Sequence, residues 1–198
     1  MSVRIVAGSL KGRTLKVPVA KRLTGTNRVR PTTSKVREAV FSMLLSMLSD
    51  EGGFGGLTVL DLYAGSGALG FEAISRGAKK AVFVDSSAEA TKEIIQASQA
   101  FGIDELVEVH RIDALDFLRS RSKTRGSRGF GLVFADPPYT FSQWEKLLGY
   151  LKCGIAVLES DGSIGDLARS FGFNISKERN YGTTFITVVR QEDYKGEG

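Results

Sequence analysis

The sequence predicts an α/β fold: a parallel sheet wound on both faces, ended by an antiparallel hairpin and preceded by a small basic extension. Three observations predict it. From residue 57 onward, short apolar runs alternate with helix-length amphipathic segments, the pattern of successive strand–helix–strand units. The last segment, "FNISKERNYGTTFITVVR", has two strand-like runs either side of Tyr181-Gly182 and no room for a crossover helix. The first 37 residues carry ten bases and no acid, leaving 17 bases against 22 acids in the rest of the chain.

Taken in order, "VRIVAG" and "RTLKVP" read as two short strands, and "NRVRPTT" as an ordered basic loop. Val36, Val40, Met43, Leu44, Met47 and Leu48 recur at helical spacing, with Thr33 or Ser34 placed to cap the helix. "DEGGFGG" at 50–56 reads as a linker or tight loop. This divides the chain into a basic extension, 1–50, and a main domain, 51–198. The main domain then runs as strand 57–63, helix 68–76, strand 80–85, helix 87–100, strand 106–113 and the helix opening at "ALDFLRS". After these come strand 130–136, the helix in "FSQWEKLLGYL", strand 154–160, a short helix at 164–170, and the hairpin.

Composition narrows the function classes. No apolar run approaches the roughly 18 residues of a membrane span, and "MSVRIVAGSL" lacks the apolar stretch of a secretory signal, so a cytoplasmic address is expected. A lone Cys153 and a lone His110 offer no metal cage, and no metal is expected. The charge segregation is the footprint of a polyanion-binding surface, with Arg4, Lys11, Arg13, Arg28, Arg30 and Arg37 as candidate phosphate contacts. A second basic run, "RSRSKTRGSR", joins a helix to the start of a strand and reads as a solvated loop on the opposite edge.

In a doubly wound sheet, ligands sit outside the carboxyl ends of the strands. Here those ends read "DLYAGSG", "VDSS", "IDA" and "DPPY", each with an acid. Gly65 to Gly70 fit G-x-G-x-x-G, and Asp85 follows Gly65 by 20 residues. Asp61, just before the loop, disfavours a pyrophosphate and favours the ammonium of a methionyl group, which points to S-adenosylmethionine. Asp85 suits the two hydroxyls of a ribose, or alternatively caps the following helix. Asp113 suits capping and adenine contact about equally. His110 and Trp144 read as packing residues.

The stretch "VFADPPYTF" carries the chemistry. An exocyclic purine amine is a poor nucleophile, since its lone pair is delocalised into the ring. Acceptors at the Asp136 carboxylate and the Pro137 carbonyl would orient it, Pro137 and Pro138 would stiffen the turn, and Tyr139 would stack on the base.

Asp136-Pro137-Pro138-Tyr139 resembles the [DNS]-P-P-[YFW] motif of amino-group methyltransferases. "DLYAGSGALGFEAISRGA" is similar, almost position for position, to the first motif of the RsmD-type family, which methylates the 2-amino group of a guanine in bacterial small-subunit ribosomal RNA. "RIVAGSLKGRTL", "RVRPTTSKVREAVFSML" and "NYGTTFI" resemble further segments of that family, so the likeness spans nearly the whole chain. It implies a Rossmann-like, seven-stranded methyltransferase sheet. It also implies that Asp61, Tyr63, Ala64, Gly65, Ser66, Gly67 and Asp85, with Ser86, Asp113 and Ala114, surround the cofactor. The N-terminal segment would face RNA, free or within an assembling or assembled small subunit, and the protein would act as a monomer. The family usually has glutamate at the position of Asp85, so the ribose contact would be shorter, water-bridged or shared with Ser86. A DNA adenine methyltransferase or a protein glutamine methyltransferase would share the tetrapeptide. A nicotinamide oxidoreductase would share only the glycine loop, and a non-catalytic RNA-binding protein would need only the basic arm.

Overall fold

The computed structural model describes residues 2–18, 34–124, 128–191 and 194. The "NRVRPTT" loop, with Arg28, Arg30 and the Thr33 cap, lies outside the described residues. In chain order the elements begin with β1 (Ser2–Arg4), β2 (Thr14–Lys16), α1 (Ser34–Leu48), β3 (Thr58–Leu62), α2 (Ala68–Ser75), β4 (Lys80–Val84) and α3 (Ala88–Phe101). They continue as β5 (Val107–His110), α4 (Ala114–Lys123), β6 (Phe130–Ala135), α5 (Trp144–Tyr150) and β7 (Cys153–Ser160). The last are α6 (Gly165–Ser170), β8 (Phe173–Tyr181) and β9 (Thr184–Gln191).

β1 and β2 pair as an antiparallel ribbon, and the other seven strands form one sheet in the order β5-β4-β3-β6-β7-β9-β8. β3 through β7 are parallel, while β9 runs antiparallel between β7 and β8. The chain winds outward from β3 to β5 and then returns to β6 on the other side of β3. Strand order therefore reverses between β3 and β6, where the crevice of such a sheet lies.

Two hydrophobic layers follow from the period of two along each strand. On β6, Leu132 and Phe134 join the layer of α1, α2 and α3, where Phe41, Phe71 and Ile94 pack, whereas Val133 and Ala135 join Phe117, Leu147 and Ala168 of α4, α5 and α6. Phe134 is fully buried, with its ring centroid 5.5 Å from that of Phe41. Each such side chain contributes about 1.5–3 kcal/mol of burial free energy.

The N-terminal residues are part of this core. Ile5, Leu10 and Leu15 share the layer of Phe41 and Leu44. The loop after β1 is tied to α2 by polar contacts. Val6 and Ala7 donate their N–H groups to the fully buried Glu72 carboxylate at 2.8 and 3.1 Å, and Arg76 closes the site with an ion pair at 2.9 Å. Gly8, at φ +81°, sits so close that a Cβ there would lie 1.7 Å from the Ser75 carbonyl oxygen. No other residue fits between loop and helix.

Of the two readings of segment 50–56, linker or tight loop, the structure has the tight loop. Ser49–Glu51 form a 3-10 turn, Gly55 bridges to Ala78, and Phe54 is 2% exposed with its ring 5.7 Å from Phe41. One aromatic residue among glycines is enough to anchor it.

Candidate active site

Three adjacent strand ends supply the first half of the site. Asp61, on β3, is 2% exposed, and its Oδ2 accepts the Gly70 N–H at 2.9 Å. That contact requires glycine. A Cβ on Gly70 would stand 2.3 Å from the Phe83 ring, so α2 lies as close to the sheet as the backbone allows. Asp85, after β4, uses both oxygens: Oδ2 accepts from Gly65 N–H at 2.8 Å and Oδ1 from Ser87 N–H at 2.9 Å. The glycine loop is thereby fixed to the end of the neighbouring strand. Ser87 caps α3 through Ala90, while Ser86 is exposed beside it. Asp113, after β5, caps α4 by accepting from Leu115 and Asp116 N–H groups, and Ala114 behind it is buried.

Both readings of the acids therefore meet in one place. Asp61, Asp85 and Asp113 each order a turn or helix start, and all three stand in a row along the carboxyl edge. A carboxylate with two oxygens offers about four acceptor positions, so the backbone contacts leave capacity for a ligand. A ligand with a cation, a pair of hydroxyls and an aminated ring in sequence fits that row.

Tyr63 joins this row to the second half. It is the one non-glycine at positive φ among the described residues, at +57°, a conformation that costs free energy and clusters at functional sites. Its ring meets Phe141 edge-on at 5.7 Å, and Phe141 meets Trp144 edge-on at 5.1 Å. Burial, with the Asp113 charge adding to it, pushes the Tyr63 phenol well above the usual tyrosine range. The phenol stays protonated at neutral pH.

The second half opens at the end of β6. Asp136 is half-buried, Pro137 buried and Pro138 exposed, and the Pro138 carbonyl accepts the Phe141 N–H at 2.8 Å to close the turn. Asp136 to Tyr139, Phe141 and Trp144 line one side of a shallow cleft that is partly open to solvent. Glu159, Ser160 and Asp161, from the end of β7, line the other. Trp144 packs in the core, as the sequence suggested, at 8% exposure.

Two residues of this half had escaped notice in the sequence. Thr184, the first residue of β9, hydrogen-bonds the Tyr139 hydroxyl at 3.1 Å, so the closing hairpin braces the Tyr139 side chain. Tyr139→Phe and Thr184→Val are each expected to lower kcat about 5- to 10-fold, the worth of one neutral hydrogen bond. The double variant should lose no more than either single one, and steady-state rates on all three check this. Glu159 was legible by the same rule that picked out the other strand-end acids, since "LES" also ends a parallel strand.

The basic candidates divide. Arg4, Lys11 and Arg13 are exposed. Arg13 lies over the Phe101 ring at 5.5 Å, and the neighbouring Lys16 pairs with Glu93 at 3.7 Å, so the β1–β2 ribbon covers the outer side of α2 and α3. Its contacts fall on Glu72, Ser75 and Phe101, toward the helix ends that face away from the acid row. Arg37 corrects the sequence reading. It is 3% exposed and donates to the Arg4 carbonyl at 2.8 Å, because it faces the loop after β1 rather than solvent. Burial pulls its guanidinium below the ordinary arginine value, opposed by Glu72 and Glu38. Of the 119–128 run, Arg119 pairs with Asp116, and Arg121 lies over the Phe130 ring at 4.8 Å near the start of β6, the edge opposite the cleft.

A seven-stranded sheet of this order, with an acid-lined glycine loop at its reversal point and Asp-Pro-Pro-Tyr on the next strand, defines a Rossmann-like methyltransferase. The comparisons sharpen that class. The family model described as "Conserved hypothetical protein 95" matches residues 3–190. The protein named ribosomal RNA small subunit methyltransferase D is 34% identical in Haemophilus influenzae, over 75% of this chain and 70% of that one. Its Escherichia coli counterpart is 31% identical over 84% and 71%. Among solved structures, Thermus thermophilus TTHA0928 superposes with a TM-score of 0.73 at 26% identity, covering 95% of this chain and 99% of that one. The chain belongs to the RsmD-type methyltransferase family.

Proposed function

We propose that this protein transfers a methyl group from S-adenosylmethionine to the 2-amino group of a guanine in small-subunit ribosomal RNA. The observation that carries the reading is the junction of the acid row on β3, β4 and β5 with the Asp-Pro-Pro-Tyr cleft at the point where strand order reverses. Relatives named as small-subunit ribosomal RNA methyltransferases support the substrate class.

The cofactor supplies a methyl group bound to a positively charged sulfur. Asp61 sets the electrostatic potential for the ammonium end, Asp85 and Ser86 meet the ribose, and Asp113 with Ala114 borders the adenine. Tyr63 and the backbone of Ala64 to Gly67 wall the site from water. Asp136 and the Pro137 carbonyl each accept one N–H of the target amine, which turns its lone pair toward the methyl carbon. Tyr139, braced by Thr184, stacks on the base. Rate arises from alignment and fixed charge rather than from a strong base. The group bound there would supply the methyl carbon and leave as its neutral thioether, while the amine held by Asp136 and the Pro137 carbonyl would release one proton to solvent.

The test is transfer of radiolabel from S-adenosylmethionine to unmodified small-subunit RNA, naked and in particles, with nucleoside analysis. Label in 2-methylguanosine is expected. Label in methyladenosine would keep the chemistry and overturn the base, and no label would overturn the substrate class. In the same assay, alanine at Lys11 and Arg13 should raise KM for RNA and flatten its salt dependence by about one to two units of log slope, with kcat unchanged. An unchanged slope would move the RNA surface elsewhere.

A further inference from the structure

The closing hairpin carries a strand face that the transfer step does not use. Tyr181 and Thr184 are cross-strand partners on either side of the tight turn at Gly182, which takes φ +76°. Residues directly opposite each other in an antiparallel pair project from the same face of the sheet. The Thr184 side chain reaches the Tyr139 hydroxyl at 3.1 Å, so Tyr181 projects from the face on which Tyr139 is held.

The period of two extends that face along β8, the edge strand of the sheet. Lys177 pairs with Val188 and Arg179 with Ile186, and both partners belong to the layer of α1, α2 and α3. Lys177, Arg179 and Tyr181 therefore follow one another on one side of the strand, with about 7 Å between successive members. All three are exposed. Arg179 donates to the adjoining Glu178 carbonyl at 3.0 Å, and among the described residues neither cation forms an ion pair. The acid between them is turned away. The Glu178 carboxylate accepts from the Ser163 and Thr187 hydroxyls at 3.0 Å, and Thr187 lies on the opposite face, between Ile186 and Val188. Beyond residue 37 the chain has 17 bases against 22 acids, so two cations and an aromatic on one strand face are a local arrangement, not the average of the domain.

A base held in the cleft has left its stack, and the nucleotide next to it has lost a stacking partner. An exposed tyrosine beside the cleft replaces that partner, and cations along the same strand meet successive phosphates, the combination by which single strands are held. Resting on the RNA-methylation reading above, we infer that the outer face of β8 is a docking track for the single-stranded segment of substrate RNA that flanks the target guanine. Tyr181 stacks on an adjoining base, and Arg179 and Lys177 neutralise two phosphates beyond it. The track is separate from the β1–β2 ribbon, whose contacts fall toward the far ends of α2 and α3.

The test uses the full chain, unmodified small-subunit RNA, naked and in particles, and variants outside the cleft. Tyr181→Ala is expected to weaken RNA binding about 5- to 100-fold at every salt concentration, the worth of one base stacked on an aromatic ring. Its salt slope and its affinity for S-adenosylmethionine should equal those of wild type. Tyr181→Phe keeps the ring and should bind RNA within about twofold of wild type. Lys177→Ser combined with Arg179→Ser should instead flatten the salt dependence by about 1.4 units of log slope, as two phosphate contacts on a single strand are lost. Both losses should appear in KM for RNA and not in kcat. Wild-type RNA affinity in Tyr181→Ala, or a wild-type slope in the double variant, in protein that still methylates guanine, would overturn the inference alone. So would a loss confined to kcat in Tyr181→Ala, because the ring would then only support Thr184. No transfer to guanine by wild-type protein would overturn the reading beneath it, and this inference with it.

Discussion

Asp136→Ala is expected to lower kcat at least about 1,000-fold while cofactor affinity stays within about threefold of wild type. The magnitude follows from what the carboxylate does. It lies at the end of β6 and lines the cleft, and in the proposed mechanism it accepts an N–H of the amine only when that amine is aligned for transfer. Removing one preorganised group that acts on the reacting atom costs about 100- to 1,000-fold. Loss of alignment, which contributes separately, adds to it. The proposed cofactor row lies at the ends of β3, β4 and β5 and does not depend on the removed side chain. Asp136→Asn makes the graded comparison, because its carbonyl oxygen still accepts one hydrogen bond. A loss of about tenfold is expected there. Single-turnover rates and isothermal titration with S-adenosylmethionine separate the two quantities, and turnover equal to wild type in the alanine variant would end the assignment.

The parts of the fold that were legible are those in which local pattern and tertiary environment agree. β3, β4, β6 and β7 are buried on both faces and flanked by turn residues, so their apolar runs admit one interpretation. Tyr181-Gly182 admits only a hairpin, and β8 and β9 pair from Tyr181 and Thr184 outward. Phe54 shows the opposite case. Six residues of Gly, Asp and Glu around one aromatic ring read equally as a linker or a tight loop, because nothing local reveals that Phe41 waits across the core. Arg37 fails for a related reason. It sits in a run of bases that share one charge, yet helical position rather than composition decides that it turns inward to the Arg4 carbonyl. Charge counts describe a segment; burial belongs to a residue.

The strand-end acids were found by position, and position does not distinguish ligand contact from structural contact. Asp85 and Asp113 hold backbone N–H groups that any loop of this shape must satisfy. Doing so pins the loop, so in the proposed mechanism the structural contact is a means to the functional one. Aspartate at 85 has one methylene less than the family's usual glutamate. Its short reach matches its bonds to Gly65 and Ser87, and in the proposed mechanism exposed Ser86 beside it meets a ribose hydroxyl.

Asp61 allows these two functions to be separated by experiment. Asp61→Asn keeps an oxygen that can accept the Gly70 N–H and removes the charge. Affinity for S-adenosylmethionine is expected to fall about 10- to 100-fold, as one charge-assisted contact is lost. The melting temperature should stay within about 2 °C of wild type. Asp61→Ala removes both. The Gly70 N–H is then left buried without an acceptor, which costs about 1–3 kcal/mol, or about 2–12 °C in Tm for a domain of this size. Titration and thermal melts on the two variants yield four numbers with a fixed pattern: weak binding in both, instability in alanine alone. Wild-type affinity in the asparagine variant would reduce Asp61 to a fastener of α2. In that event the cofactor's ammonium would have to be met by backbone oxygens of the loop from Tyr63 to Gly67.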